Sequence, residues 1–147
     1  MDKRIHLGTE MIVCFFLMYH SICDIRTRKI NAMVCVVFGI AGLFMFGIGN
    51  QKRVFSLVFG LLIGVGLMVV SYLTREAVGM GDGYVVAAVG IWVGGEKTLA
   101  MLMIALFLAA GFGILQISTG KANGKTELAF VPFFTLSHVL FMLGKIV

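Results

Sequence analysis

Charge is scarce in this chain of 147 residues: 13% are Asp, Glu, Lys or Arg, and only seven are acids. There is one proline, one tryptophan and three cysteines. So little charge excludes an ordinary soluble domain, which needs a polar outer face. The net charge of +5 does not mark a nucleic-acid partner, because Lys and Arg fall in short breaks between apolar runs and form no single stripe. Cys14, Cys23 and Cys35 lack Cys-x-x-Cys spacing, so they support neither a disulfide framework nor a zinc site and read as helix-packing residues. The lone Pro132 falls in about the first turn of the last apolar run, where a missing N–H costs little.

What is abundant is apolar sequence, 60% of the chain. Val54 to Leu73 holds no charge, and twenty residues is the length that about 30 Å of hydrocarbon requires of a helix. The pattern predicts an all-α polytopic membrane protein with about six transmembrane helices: Leu7–Cys23, Asn31–Ile48, Val54–Leu73, Gly83–Val93, Thr98–Ile117 and Leu128–Leu143. Together they form a single membrane-embedded domain over residues 1–147, with membrane lipid as its surroundings. The first run follows Lys3 and Arg4 as a secretory signal would. It lacks a small-x-small cleavage site before Cys23, and Ser21-Ile22-Cys23 is a poor lipoprotein processing site, so it is expected to stay as a helix.

With six crossings, alternate breaks share a membrane face, which unites Asp24, Asp82 and Glu127. Lys and Arg divide six against six between the two faces, so charge alone sets no orientation. The fourth run has only about a dozen residues, too few to cross. One solution has Gly79 to Gly83 dipping into the membrane as irregular backbone, with Asp82 below the surface beside water. Gly39, Gly42, Gly60, Gly64, Gly66, Gly111 and Gly113 are expected to let helices approach closely.

Two acids at the ends of apolar runs need a reason, since an ionisable group in a membrane is costly unless paired, hydrated or used. Asp24 and Asp82 could form an aspartyl dyad. Two close carboxyls cannot both ionise, so one keeps a proton, and the pair can deprotonate an attacking water and protonate a peptide carbonyl. No metal or cofactor is needed. Gly79, Gly81 and Gly83 would shape a surface for an extended substrate, because glycine allows close backbone approach. Glu76 and Glu127 could reach the same place but are read as structural or loop-ordering, Glu76 being kept as a substrate-side candidate. His20, one turn before Asp24, could hydrogen-bond it, although an interfacial histidine is the plainer reading. Arg26, Arg28 and Lys29 read as interface anchors, and Trp92, Tyr19 and Tyr72 as an aromatic belt. His138, Met101 and Met103 lack ligand spacing and read as packing.

The stretch Asp24-Ile25-Arg26-Thr27-Arg28-Lys29-Ile30, followed by Glu76-Ala77-Val78-Gly79-Met80-Gly81-Asp82, resembles the prepilin peptidase family of Gly-x-Gly-Asp membrane aspartic proteases. Phe130-Val131-Pro132-Phe133 is also similar to that family, and the likeness covers nearly the whole chain. The resemblance implies that Asp24 and Asp82 are catalytic and face the cytoplasm from the plasma membrane. It implies removal of a short basic leader from pilins, pseudopilins, Flp-type pilins or archaellum subunits, cut after a glycine. The chain departs from the family at Ile30-Asn31-Ala32, where Ile-Pro-Asn is common, and at Tyr84, where a lysine is common. Larger members also methylate the new N-terminus and carry a Cys-x-x-Cys domain; methyltransferase activity is not expected here. The competing reading is an inactive assembly subunit or a small proton-coupled transporter using the same acids as a relay or a helix lock.

Overall fold

A computed structural model describes residues 3–46, 51–74, 79–120 and 128–144. They form six α-helices, with no strand among the described residues: α1 (Lys3–Thr27), α2 (Ala32–Phe46), α3 (Gln51–Leu73), α4 (Met80–Val93), α5 (Gly95–Ser118) and α6 (Val131–Gly144). Long and short helices alternate. Within α1, α3 and α5, the stretches Leu7–Thr27, Val54–Leu73 and Gly95–Ser118 are long and apolar enough to cross a membrane. The apolar parts of α2, α4 and α6 are shorter, and a helix of 14 residues such as α4 rises only about 21 Å.

Short α4 is the central helix. Ten of its 14 residues are buried, from Asp82 and Gly83 through Trp92, and α1, α2, α3 and α5 all pack on it. A helix that is apolar on every side belongs in such a position. Outward faces of the other helices carry bare aromatic side chains, with Phe44 77%, Phe55 78% and Phe107 79% exposed. Contiguous apolar surface of this kind suits lipid contact and would be a liability in water.

Small residues govern how closely α3 and α4 approach. A Cβ on Gly60 would run into the Gly90 backbone, one on Gly64 into Ala87, and one on Gly83 into Met68 of α3. The result is an antiparallel seam in which backbone meets backbone, the packing open to membrane helices in place of hydrophobic collapse. Gly39 and Gly42 of α2 make room instead for side chains of α4, those of Ile91 and Trp92. Gly66, Gly111 and Gly113 differ from expectation: among the described residues, no other helix comes within 4 Å of a Cβ there. Their helices present those positions outward.

An aromatic ladder ties α1, α2 and α4. Phe38 stacks on Phe16 at 3.9 Å and on Trp92 at 4.6 Å between ring centroids. The Trp92 indole N–H donates to the Phe38 carbonyl at 2.8 Å, which removes a donor that hydrocarbon could not satisfy. Trp92, expected in an interfacial belt, therefore belongs to the core at 6% exposure, whereas Tyr19 and Tyr72 are exposed.

Between α4 and α5 the break is one residue. Gly94 has φ 88°, a left-handed conformation suited to glycine, and Gly95 already begins α5 with its N–H donated to Ser56 Oγ at 3.2 Å. The polar run Gly94 to Lys97 is thus mostly helix. Pro132 is the second residue of α6, within the first turn as expected.

Candidate active site

Asp24 and Asp82 are both more than nine-tenths buried, at 7% and 8% exposure. Neither lies in a break. α1 runs on through Thr27, which puts Asp24 in its last turns, and α4 begins at Met80, which puts Asp82 in its first. The irregular stretch expected over Gly79 to Gly83 is therefore a helix start: Gly79 caps α4, and its carbonyl accepts the Asp82 N–H at 3.1 Å. With its N–H thus satisfied, Asp82 needs no water-filled irregular loop to be buried.

The two carboxyl groups occupy one end of the bundle, where Gly81, next to Asp82, packs against Ile30 in the segment that follows Asp24 and α1. Their immediate surroundings differ. Oδ2 of Asp24 accepts the backbone N–H of Val131, the first residue of α6, at 3.1 Å, and the charge of Arg28 also acts on this group. Arg28 follows α1 with φ 51°, a left-handed cap that turns the chain sharply after the carboxylate. The Asp82 carboxyl folds back over Gly79, where a Cβ would come within 2.9 Å of Oδ2.

Each bracketing glycine has a separate local reason. Gly79 leaves room for the Asp82 carboxyl, a Cβ on Gly81 would press on Ile30 at 2.9 Å, and Gly83 sits on Met68 of α3. Ile30 thereby links the segment after Asp24 to the turn that carries Asp82. At the two departures from the family pattern, Asn31 Oδ1 accepts the Met33 N–H at 3.0 Å as a cap for α2, and Tyr84 packs against the hydrophobic core. Glu76 and Glu127 lie outside the described residues.

His20 does not serve Asp24. Fully buried, it pairs Nδ1 with the Phe16 carbonyl at 3.0 Å and sets Nε2 3.5 Å from Cys35 Sγ, so the interfacial reading also fails. Its ring nitrogens are turned to its own helix and to Cys35 of α2.

A second polar cluster was not anticipated. Glu10 of α1 forms an ion pair with Lys97 of α5, and His138 Nε2 of α6 donates to the Glu10 carbonyl at 3.2 Å and lies 3.5 Å from Oε2. Glu10 and His138 are buried, and the Lys97 side chain is 14% exposed. His138 thus binds a polar partner where simple packing was expected; Met101 is core, while Met103 is 45% exposed. The available signal was Glu10 itself, a carboxylate inside an apolar run, which calls for a partner. Among the described residues, no group of three or more His, Cys, Asp or Glu could hold a metal ion.

Fold and site together define an all-helical membrane protein with two buried carboxyl groups brought to one end of its bundle. The model of the type IV leader peptidase family matches residues 11–114, and the chain belongs to that family. It is accordingly a membrane protease of the kind that processes prepilin-like substrates. No curated protein and no solved structure matches it.

Proposed function

We propose that this chain is an aspartic endopeptidase whose dyad is Asp24 and Asp82, cutting the short basic leader from prepilin-like precursors at the cytoplasmic face of the plasma membrane. The observation that carries the reading is the burial, at one end of the bundle, of two carboxyls from helices far apart in sequence, with Gly81 beside Asp82 packed on Ile30 just after α1. Two acids in low dielectric hold one proton between them near neutral pH. The charged member takes a proton from water as its oxygen attacks the peptide carbonyl carbon, and the neutral member gives its proton to the carbonyl oxygen. Collapse of the tetrahedral intermediate breaks the C–N bond as a proton passes to the leaving amine. The turn at Gly79 and Gly81 is proposed to border the approach to Asp82, with Gly83 seating that turn on α3, and Glu76 is proposed to meet the substrate there. The whole of residues 1–147 acts as one membrane domain.

Co-expression of wild type, Asp24→Asn and Asp82→Asn with a tagged prepilin tests the reading through leader loss and N-terminal sequencing. Cleavage after the leader glycine by wild type alone, with both variants inserted and folded, is the expected result. Cleavage by either variant would remove the dyad.

A further inference from the structure

We infer that the dyad is divided by α6: the first backbone N–H of that helix, at Val131, holds Asp24 as the resting carboxylate and leaves the proton on Asp82. The inference rests on the dyad reading and assigns a role to each member. It also gives a task to a helix beyond the residues 11–114 that carry the family match.

Geometry distinguishes the two acids. The first N–H groups of a helix have no partner within it, and Val131 is the first residue of α6, so its N–H is free to serve Asp24 Oδ2 at 3.1 Å. The Phe130 amide faces the same carboxylate. Adjacent amides at a helix N-terminus favour an anion through their hydrogen bonds and through the positive end of the helix dipole. An N–H bond to an ionised acceptor is also stronger than one to a neutral group.

Among the described residues, Arg28 and Asp82 are the charged groups that act on Asp24. Just past the end of its helix, Arg28 favours the ionised form, and the C-terminal carbonyls of α1 oppose it. From α4 it faces Asp82, while His20 turns its ring to Phe16 and Cys35. Asp82 has a weaker claim to the charge. It lies in the first turn of α4 and gains from that dipole, but among the described residues no group donates a hydrogen bond to its carboxyl, which is 8% exposed beside Asp24. A direct donor outweighs a diffuse dipole, so the single proton belongs on Asp82. Asp24 then activates water, Asp82 protonates the substrate carbonyl, and Val131 is a positioning residue acting through its backbone.

Val131→Pro tests this with little disturbance of the helix, because proline is favoured at the first helical position and lacks the N–H in question. Val131→Ala is its control, keeping the N–H and losing buried side-chain volume. The expected result is an acidic limb of the pH–rate profile displaced upward by about one pH unit in Val131→Pro, as loss of a hydrogen bond to a carboxylate requires, and unmoved in Val131→Ala. Coincident limbs in the two variants would overturn the assignment. Infrared difference spectra of the unmutated fold and of both Asp→Asn variants serve if Val131→Pro does not fold. At near-neutral pH, the band of a protonated buried carboxyl should vanish in Asp82→Asn and persist in Asp24→Asn; the opposite pattern would overturn the division. Residual cleavage by either Asp→Asn variant is the separate result that removes the dyad itself.

Discussion

Two groups of buried polar side chains sit on α1, about fourteen residues or roughly 21 Å apart along its axis. At Glu10 the acid meets a lysine and a histidine, so charge is balanced and three helices, α1, α5 and α6, are tied together. At Asp24 the acid meets a second acid. Both arrangements bury carboxyl groups, yet their consequences are opposite. A balanced cluster loses energy whichever member is removed, because a lone charge remains in low dielectric. An acid pair is unbalanced by construction and relaxes when one member is neutralised. The contrast separates a group held for structure from a group held for chemistry.

Exchange of charge for amide at the two places should therefore give opposite profiles. Asp24→Asn and Asp82→Asn are expected to lower prepilin cleavage at least about a hundredfold, the range of general acid–base catalysis, while thermal melting in detergent stays level or rises. Glu10→Gln should do the reverse. It breaks the Glu10–Lys97 ion pair, which should lower stability by about 3–5 kcal/mol, while the folded fraction keeps its activity per molecule. The double change Glu10→Gln with Lys97→Met should recover much of that loss, since replacing a whole buried pair by groups of similar volume is often neutral. If Glu10→Gln abolished cleavage in protein that melts normally, the two clusters would no longer differ in kind.

Much of the bundle was legible because hydrocarbon is a strict solvent: an uncharged run of twenty residues such as Val54 to Leu73 has few alternatives to a helix. Helix ends were harder to read. Polarity marks where the membrane stops and says little about where backbone hydrogen bonding stops, so Asp24 and Asp82 read as loop residues although α1 and α4 contain them. Inward and outward faces were harder still, since a run that is apolar all round has no moment to orient it. Trp92 and His20 were consequently read as interfacial, and only the partners Phe38, Phe16 and Cys35 reveal the inward direction. Glu10 disappeared into the average of an apolar run. Its ion-pair partner Lys97 lies so far along the chain that no local pattern joins them.

The glycines extend the comparison to a smaller scale. Gly60→Ala at the α3–α4 seam drives a methyl into the Gly90 backbone, which no rotamer can relieve, and should cost about 1–3 kcal/mol in thermal or denaturant titration. Gly79→Ala at the carboxyl end meets a different neighbour, the Oδ2 of Asp82 at 2.9 Å. A side chain can turn where backbone cannot, so stability should change by less than at Gly60, while the turnover rate falls because the carboxyl is displaced. Equal stability losses at the two positions would mean that Gly79 serves packing alone.

The smallest effect belongs to Gly111→Ala. Gly111 lies on an exposed face of α5, a Cβ there meets no described residue within 4 Å, and alanine is the better helix former by about 1 kcal/mol. Melting should rise slightly, with leader cleavage unchanged. A fall in melting temperature would show that something outside this chain packs against α5 at that position. The contrast drawn within the bundle would then extend to an outer surface, where a small residue is kept for a neighbour that the isolated helices do not contain.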